Sequence, residues 1–335
     1  MKLYRSLAVK MPALALAIGN FDGVHLGHQA ILETCRKAAS RLVLQPSAMT
    51  FSPLPREYFA KLRGDLAQSP ARLMSATEKL AAMSRAGMAQ VFIPHFDGAF
   101  AAQSPEAFMA KLVALNVKWL IVGEDFRFGA KRAGDVAMLR KYGAANGFSV
   151  ETMADVFADN DLANGEKISS TVIRAALEAG NLLTAERMLG RPYSIVGRVT
   201  HGKKLGRTLG FPTANVTLTG RKPALAGVFA VKFNLVTNKV SRGLEGVVRT
   251  SAENADAILG VANLGTNPVV SNDHRHHLEV FLFDFANDLY GKRVQVTFIE
   301  RIRDERNFSG PDALQELVKQ MHDDCARAKT ILRKY

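Results

Sequence analysis

The chain has 335 residues, 47% hydrophobic and 22% charged, a globular composition and more chain than one ordinary domain needs. The formal net charge of +13 is spread over both halves, so the protein attracts anions of any kind: nucleic acid, phosphorylated metabolites or an anionic membrane. Two distant cysteines, Cys35 and Cys325, exclude a disulfide framework and a cysteine zinc site and suit a reducing cytoplasm. No apolar run reaches the ~18 residues of a membrane span. Met11–Gly19, preceded by Lys2, Arg5 and Lys10, has the outline of a signal peptide, but cleavage there would cut the strand that carries the first motif.

Ala13–Gly19 reads as a buried strand. A helix follows, with Ile31, Cys35, Ala38 and Leu42 on one face. Leu42–Phe51 is a second strand, running into Ser-Pro-Leu-Pro. Ser75–Ala86 is helical and stops at Gly87. Strand Ala89–Ile93, helix Ser104–Leu115, strand Trp119–Val122, helix Val136–Ala145 and strand Ser149–Met153 continue the alternation. That order implies a parallel sheet with helices on both faces. Helices at Ser169–Ala179 and Leu182–Leu189 close this part.

After Gly190-Arg191-Pro192 the pattern changes to short β-rich runs: Tyr193–Thr200, Val228–Leu235, Ile258–Leu264, Leu278–Phe285 and Val294–Ile302. An antiparallel module, a small barrel, fits them. Pro311–Leu332 is a terminal helix with Leu314, Leu317, Val318 and Met321 on one side. The expected domains are 1–186 and 187–335.

The first motif, Gly19-Asn20-Phe21-Asp22-Gly23-Val24-His25-Leu26-Gly27-His28, joins the first strand to the first helix. Open α/β sheets bind ligands at the carboxyl ends of their strands, and a helix N-terminus there offers N–H groups to phosphate. His25 and His28, three residues apart, share one side of the first turn and can neutralise charge on a transferring phosphoryl group. In Lys167-Ile168-Ser169-Ser170-Thr171-Val172-Ile173-Arg174, a capped helix start with an arginine fork makes a second anion cradle; an ordinary capped helix reads the same way. Val122-Gly123-Glu124-Asp125-Phe126-Arg127-Phe128-Gly129 lies at a strand's carboxyl end, where Phe126 and Phe128 can flank a planar ring and Asp125 can bind a ribose, a base or a metal. Thr50-Phe51-Ser52-Pro53-Leu54-Pro55 is a stiff aromatic loop at the same edge.

These four segments, in this order, resemble the FMN adenylyltransferase module of bacterial bifunctional riboflavin kinase/FAD synthetases, which is similar to the HxGH nucleotidyltransferases. The resemblance covers roughly residues 13–185 and implies a Rossmann-like α/β nucleotidyltransferase fold. By it, the FMN phosphate attacks the α-phosphorus of ATP, giving FAD and pyrophosphate. His25 and His28 stabilise the transition state; Ser170, Thr171 and Arg174 hold the triphosphate; Asn20 and Asp125 belong to the nucleotide site; Phe51, Pro53 and Phe128 lie on the flavin side. The family's loop usually reads TFxPHP, and here Leu54 stands in place of the histidine.

In the β-rich part, residues 197–215 are rich in glycine and basic side chains. Gly202, Gly206 and Gly210 let a loop wrap phosphates with backbone N–H groups, beside Lys203. Thr213 and Asn215, two apart in an extended segment, point the same way and suit Mg²⁺, which prefers a few protein oxygens and completes its shell with phosphate. Glu279, on a largely apolar strand, is a candidate general base. GRTLGFPTANV, AGVFAV, GVANLGTNP, LEVFLFDF, DLYGK and IRDERNF resemble the riboflavin kinase module, a six-stranded barrel, over about 186–330. The resemblance implies that Thr213 and Asn215 bind Mg²⁺·ATP and that Glu279 deprotonates the riboflavin 5′-hydroxyl. It also implies that Arg303–Phe308 is a flap over the flavin, with Arg303 and Phe308 touching it. Val269 follows Pro268 where the family often has threonine.

The resulting expectation is a cytoplasmic bifunctional enzyme that uses ATP and Mg²⁺ on riboflavin and FMN. It is expected to be a monomer or weak homo-oligomer, without nucleic-acid or membrane partners. The competing readings are another HxGH adenylyltransferase carrying a regulatory β module, and a basic nucleic-acid binder.

Overall fold

The computed structural model describes all residues except 66–68, 159–164, 203–205, 207–208, 219–221, 241–247, 253–256 and 267–275. The chain divides into two compact units. The first is built mainly of 1–70 and 76–169, the second mainly of Ala71–Ser75, 170–238 and 250–335.

The first unit contains strands β1 (Lys2–Tyr4), β2 (Leu14–Ile18), β3 (Gln45–Met49), β4 (Gln90–Phe92), β5 (Val117–Gly123) and β6 (Ser149–Met153). They form one parallel sheet in the order β1-β4-β3-β2-β5-β6. Its helices are α1 (Leu26–Leu42), α2 (Pro55–Leu62), α3 (Ala76–Arg85), α4 (Gly98–Ala101), α5 (Pro105–Ala114) and α6 (Val136–Asn146). Successive side chains of a strand point to opposite faces, and β2 is buried on both. Leu14, Leu16 and Ile18 share a core with Phe108, Met109 and Leu112 of α5 and Leu139 of α6. On the other side Cys35 of α1 lies with its thiol 3.4 Å from the Ala15 carbonyl. That double covering is why β2 reads as an uninterrupted apolar run.

The expected helix face of Ile31, Cys35, Ala38 and Leu42 is rotated. Leu32, Cys35, Ala38 and Ala39 are the buried set, and Leu42 is exposed in the last turn. Strands β1 and β4 are three residues each, and sequence periodicity finds β4 but not β1. Between β2 and its two neighbours, β3 on one side and β5 on the other, the strand order reverses direction. The carboxyl ends of these strands form the crevice that such sheets use for ligands.

The second unit begins with α7 (Ser170–Glu178) and α8 (Leu182–Leu189). Strands β7 (Ser194–Thr200), β8 (Thr213–Val216), β9 (Gly227–Val240), β10 (Val248–Ala252), β11 (Ile258–Thr266), β12 (His276–Leu282) and β13 (Arg293–Arg303) follow, then helix α9 (Ala313–Leu332). The pairing order β9-β11-β12-β8-β7-β13 returns to β9 through the β9–β13 ladder, so six strands close into an antiparallel barrel with β10 outside it on β9. Phe229, Phe233 and Phe298 are fully buried.

Helix α9 packs on the barrel through its second half: Ala328, Ile331 and Leu332 meet Val228, Ala230, Val261 and Ile302. The apolar side expected from Leu314, Leu317, Val318 and Met321 is only half-buried, and Leu314 is exposed. A charged pair fastens the helix where apolar contact thins. Arg303, the last residue of β13, donates to both oxygens of Asp324 at 2.8–3.1 Å, and Gln320 donates to the same carboxylate. Asp324 is only 4% exposed, so removing it strands a guanidinium that the fold has largely desolvated. Asp324→Ala should lower stability by about 2 kcal/mol, read from the denaturant midpoint of the barrel unit, with Asp324→Asn costing less.

Candidate functional site

The turn after β2 is held in an uncommon backbone. Phe21, Gly23 and Val24 all have positive φ, at 48°, 85° and 40°. For the two bulky residues this is strained, a state that persists only where the surroundings enforce it. Phe21 is fully buried, and its ring lies where a side chain on Gly19 would contact it, 3.2 Å away. The turn delivers His25 to the N-cap of α1, where its Nδ1 accepts from the His28 backbone N–H at 3.3 Å. The two imidazoles stack at 3.6 Å, and Phe21 meets His28 edge-on at 5.2 Å. Gly27 leaves room for this stack, because a Cβ there would stand 3.3 Å from His25 Nδ1.

The two histidines are thus brought together as expected. Burial first, then the charges of His25 and Lys79, hold the His28 imidazole well below its ordinary pKa. His28 is therefore neutral at pH 7 and offers one N–H rather than two. Its Nδ1 is buried with no hydrogen-bond partner. The positive charge beside the pair comes from Lys79, a residue of α3 that is 7% exposed. Its ammonium donates to the Asn20 carbonyl at 2.7 Å and to Thr50 Oγ1 at 3.3 Å. No sequence motif marks Lys79; it looks like any helix lysine until α3 is laid against the strand ends.

Asn20 sits at the carboxyl end of β2 as expected, and its carbonyl also accepts from Thr50 Oγ1. Asp125 is exposed and is bridged by Lys167 at 3.2 Å, while Lys167 also pairs with Asp155 at 2.7 Å. The Asp125 loop and the start of the Lys167–Arg174 segment are therefore joined within the first unit. Ile168 reaches the histidine turn, its carbonyl 3.8 Å from where a Gly27 Cβ would stand. Ser170, Thr171 and Arg174 belong to the second unit, where Arg174 Nε donates to the Ala71 carbonyl at 2.5 Å.

Phe51 contacts Phe96 and Phe100, and Phe100 leads through Phe108 to Phe128. Pro53 follows Ser52 in a cis peptide. Phe128 is a core residue, and Phe126 stacks on it at 5.7 Å with the rings 19° apart. At that separation the two rings are in contact, so they do not flank a third ring as the sequence suggests; half-buried Phe126 is the outer member of the stack. Leu54 is buried and precedes α2, its backbone N–H donating to Glu57.

In the barrel, strand pairing decides which side chains meet. Glu279 on β12 lies opposite Asn215 on β8 and opposite Asn263 on β11; Phe281 lies opposite Thr213. Directly paired residues in an antiparallel ladder share a face. Thr213, Asn215, Asn263, His277, Glu279 and Phe281 therefore form one outer face, while Leu278, Val280 and Leu282 are buried on the other. Burial raises the Glu279 carboxyl above its ordinary pKa, partly offset by the charge of His277. Asn263 Oδ1 is buried without a hydrogen-bond partner. Asn263 went unnoticed in the sequence because only strand register reveals that it faces Glu279.

Two glycines press on the proposed metal donors. A Cβ on Gly202 would overlap the Asn215 amide, and one on Gly206 would stand 3.5 Å from Thr213 Oγ1. Gly206 and Phe211 close a tight turn, the Phe211 N–H donating to the Gly206 carbonyl at 2.8 Å. Gly210 in that turn has φ +84°, a conformation glycine adopts readily. Lys203 and Val269 lie outside the described residues. Past β13, in the Arg303–Phe308 segment, Glu305 lies against Gly265, which pairs with His277 two residues along β11 from Asn263, so the Glu305 side chain reaches the Glu279 face. Within it Arg303 is turned to Asp324, which makes it an anchor of α9, and Phe308 stacks under Arg306 at 5.1 Å.

The residues fit a magnesium ion. A hydroxyl and an amide oxygen next to a carboxylate make a hard, oxygen-only donor set with room left for phosphate oxygens. Among the described residues no cluster of His, Cys, Asp and Glu forms a softer metal site.

A parallel sheet with an HxGH turn at its ligand edge and a closed barrel with a carboxylate on an outer face define a two-module transferase that handles nucleotide phosphates. The family model for FAD synthetase matches residues 9–172, and that for riboflavin kinase matches residues 189–332. The chain is 40% identical over 317 residues to a bifunctional riboflavin kinase/FMN adenylyltransferase of Haemophilus influenzae, covering 94% of this chain and 93% of the relative. It is 41% identical over 305 residues to the Escherichia coli K12 protein of the same description, covering 90% and 88%. A solved structure from Streptococcus pneumoniae, described as a macrolide-efflux protein, has a TM-score of 0.72 and 28% identity over 97% of this chain and 98% of its own. No described helix of this chain is long and apolar enough to cross a membrane. The chain belongs to the family of bifunctional riboflavin kinase/FMN adenylyltransferases. It phosphorylates riboflavin to FMN with ATP and adenylylates FMN with a second ATP, releasing pyrophosphate.

Since Gly202 abuts the Asn215 amide, Gly202→Val should displace that side chain. Riboflavin phosphorylation should fall by about tenfold or more while adenylylation of supplied FMN stays at the wild-type rate, each followed by chromatography of flavins.

Proposed function

We propose that the two reactions run on two separate residue sets, with residues 1–186 serving adenylylation and 187–335 serving phosphorylation, in the cytoplasm where ATP is supplied and thiols such as Cys35 and Cys325 stay reduced. In the kinase step Glu279 takes the proton from the riboflavin 5′-hydroxyl. The oxygen attacks the γ-phosphorus of ATP, a new O–P bond forms, and the bond to the β-phosphate oxygen breaks to release ADP. The observation that carries this assignment is register: Glu279 faces Asn215 directly across the ladder, two pairs along from Phe281 and Thr213 and on the same face. A carboxylate raised by burial is a better proton acceptor than one in water once it is ionised. Thr213 and Asn215 hold Mg²⁺ against the nucleotide, and the ion when bound offsets charge on the phosphate oxygens. Gly202, Lys203 and Gly210 line the nucleotide loop, and Phe308 lies on the flavin side with the segment that covers this face.

In the adenylylation step an FMN phosphate oxygen attacks the α-phosphorus of ATP, and the bond to the β-phosphate oxygen breaks to release pyrophosphate. No protein nucleophile is needed. The nucleophile carries its own charge, so the chain's work is to place two phosphates in line and to stabilise the oxygens between them. His28 donates a hydrogen bond to the transferring group as a neutral imidazole, and His25 supports it by stacking. Asn20 and Asp125 lie on the nucleotide, and Ser170, Thr171 and Arg174 hold its triphosphate. Phe51, Pro53 and Phe128 shape the flavin side, Phe128 by supporting the exposed edge of Phe126.

Glu279→Ala should abolish phosphorylation of riboflavin while FMN is still adenylylated, and His28→Ala should do the reverse, measured with riboflavin and FMN as separate substrates. Loss of both activities from one substitution in a folded protein would end the two-site reading.

A further inference from the structure

We propose that Lys79 is a positioning residue of the adenylylation site, an ammonium built in beneath the HxGH turn to lock the carboxyl ends of β2 and β3 together and to present fixed positive charge to the histidine pair. A lysine only 7% exposed is uncommon, because burying an ammonium costs several kcal/mol unless it is hydrogen-bonded. Here its position is specific. Nζ reaches 59 residues back along the chain to the Asn20 carbonyl, at 2.7 Å, and also to Thr50 Oγ1, at 3.3 Å, which itself donates to Asn20. One carbonyl at the end of β2 thus accepts from two donors, one brought by α3 and one by the end of β3. That triangle fixes the residue from which the strained turn to His25 departs.

The same ammonium acts on the imidazoles. Among the described residues His25 stacks on His28, and the charges of His25 and Lys79 act on its imidazole. The charge of Lys79 disfavours a positive charge on His28, so the imidazole stays neutral and donates through its one N–H. In reaction terms Lys79 supplies the charge and His28 supplies the directed hydrogen bond, a division that a doubly protonated histidine pair would not give.

The inference rests on the reading of His28 as part of the adenylylation site, and the test separates the two. Lys79→Met in the full chain should cut kcat for FMN adenylylation about tenfold or more, with KM for ATP and FMN little changed and with riboflavin phosphorylation at the wild-type rate. The acid limb of the adenylylation pH profile should move to higher pH by roughly half a unit or more, because loss of the cation raises the His28 pKa. Should Lys79→Met fail to fold, Lys79→Gln tests the same point, since it keeps a donor for Asn20 and removes the charge; its limb should move likewise. Wild-type adenylylation in either variant, or a loss of rate with the limb unmoved, overturns the inference. Normal adenylylation by His28→Ala overturns the reading beneath it.

Discussion

Strand register is the constraint from which both proposed active faces follow. In the first unit, parallel pairing puts the carboxyl ends of β3, β2 and β5 side by side, so that Met49-Thr50, Gly19-Asn20 and Gly123 finish at one edge. In the second, antiparallel pairing sets Glu279 between Asn215 and Asn263. A slip of one residue in either β12 ladder would send Glu279 into the packed interior occupied by Leu278 and Val280. The apolar residues of these strands are thus part of the chemistry, since their burial is what forbids the slip.

The two units solve the same electrostatic problem in different ways. Phosphoryl transfer asks for groups already oriented toward oxygens that gain charge. The sheet unit answers with a strained turn, a stacked imidazole pair and a buried lysine, all fixed by neighbours before any ligand arrives. The barrel unit answers with side chains on rigid strands and with glycines that bring backbone against them, Gly202 beside Asn215 and Gly206 beside Thr213. The helix α9 then serves the barrel from outside. Asp324 holds the end of β13, and His322 touches Phe211 in the glycine-rich turn, which in turn packs on Phe281.

Much of this was legible in the sequence, where the signal was periodic or local. β6 and α8 fall on their expected ranges, and the buried run of β2 and the turn glycines mark the first motif plainly. What stayed hidden depended on contacts far apart in the chain. Three-residue β1 is a strand only because β4 pairs with it, and four-residue β8 is one because β7 and β12 flank it. Lys79 belongs to no motif and Asn263 stands unmarked inside GVANLGTNP; they gain meaning from α3 lying against strand ends and from ladder register. Phe126 and Phe128 look alike in sequence, and only packing separates the core ring from the outer one. Nothing in the sequence near Arg303 shows that Asp324, twenty-one positions on, holds its guanidinium.

The claim that two ATP molecules are used at different phosphorus atoms is open to a direct label test. FAD made from riboflavin with ATP labelled at the γ- or the α-phosphate can be cleaved with a phosphodiesterase into FMN and AMP. The account predicts γ-label in the FMN half alone and α-label in the AMP half alone. Label from the α-phosphate in the FMN half, or FAD free of γ-label, would contradict it.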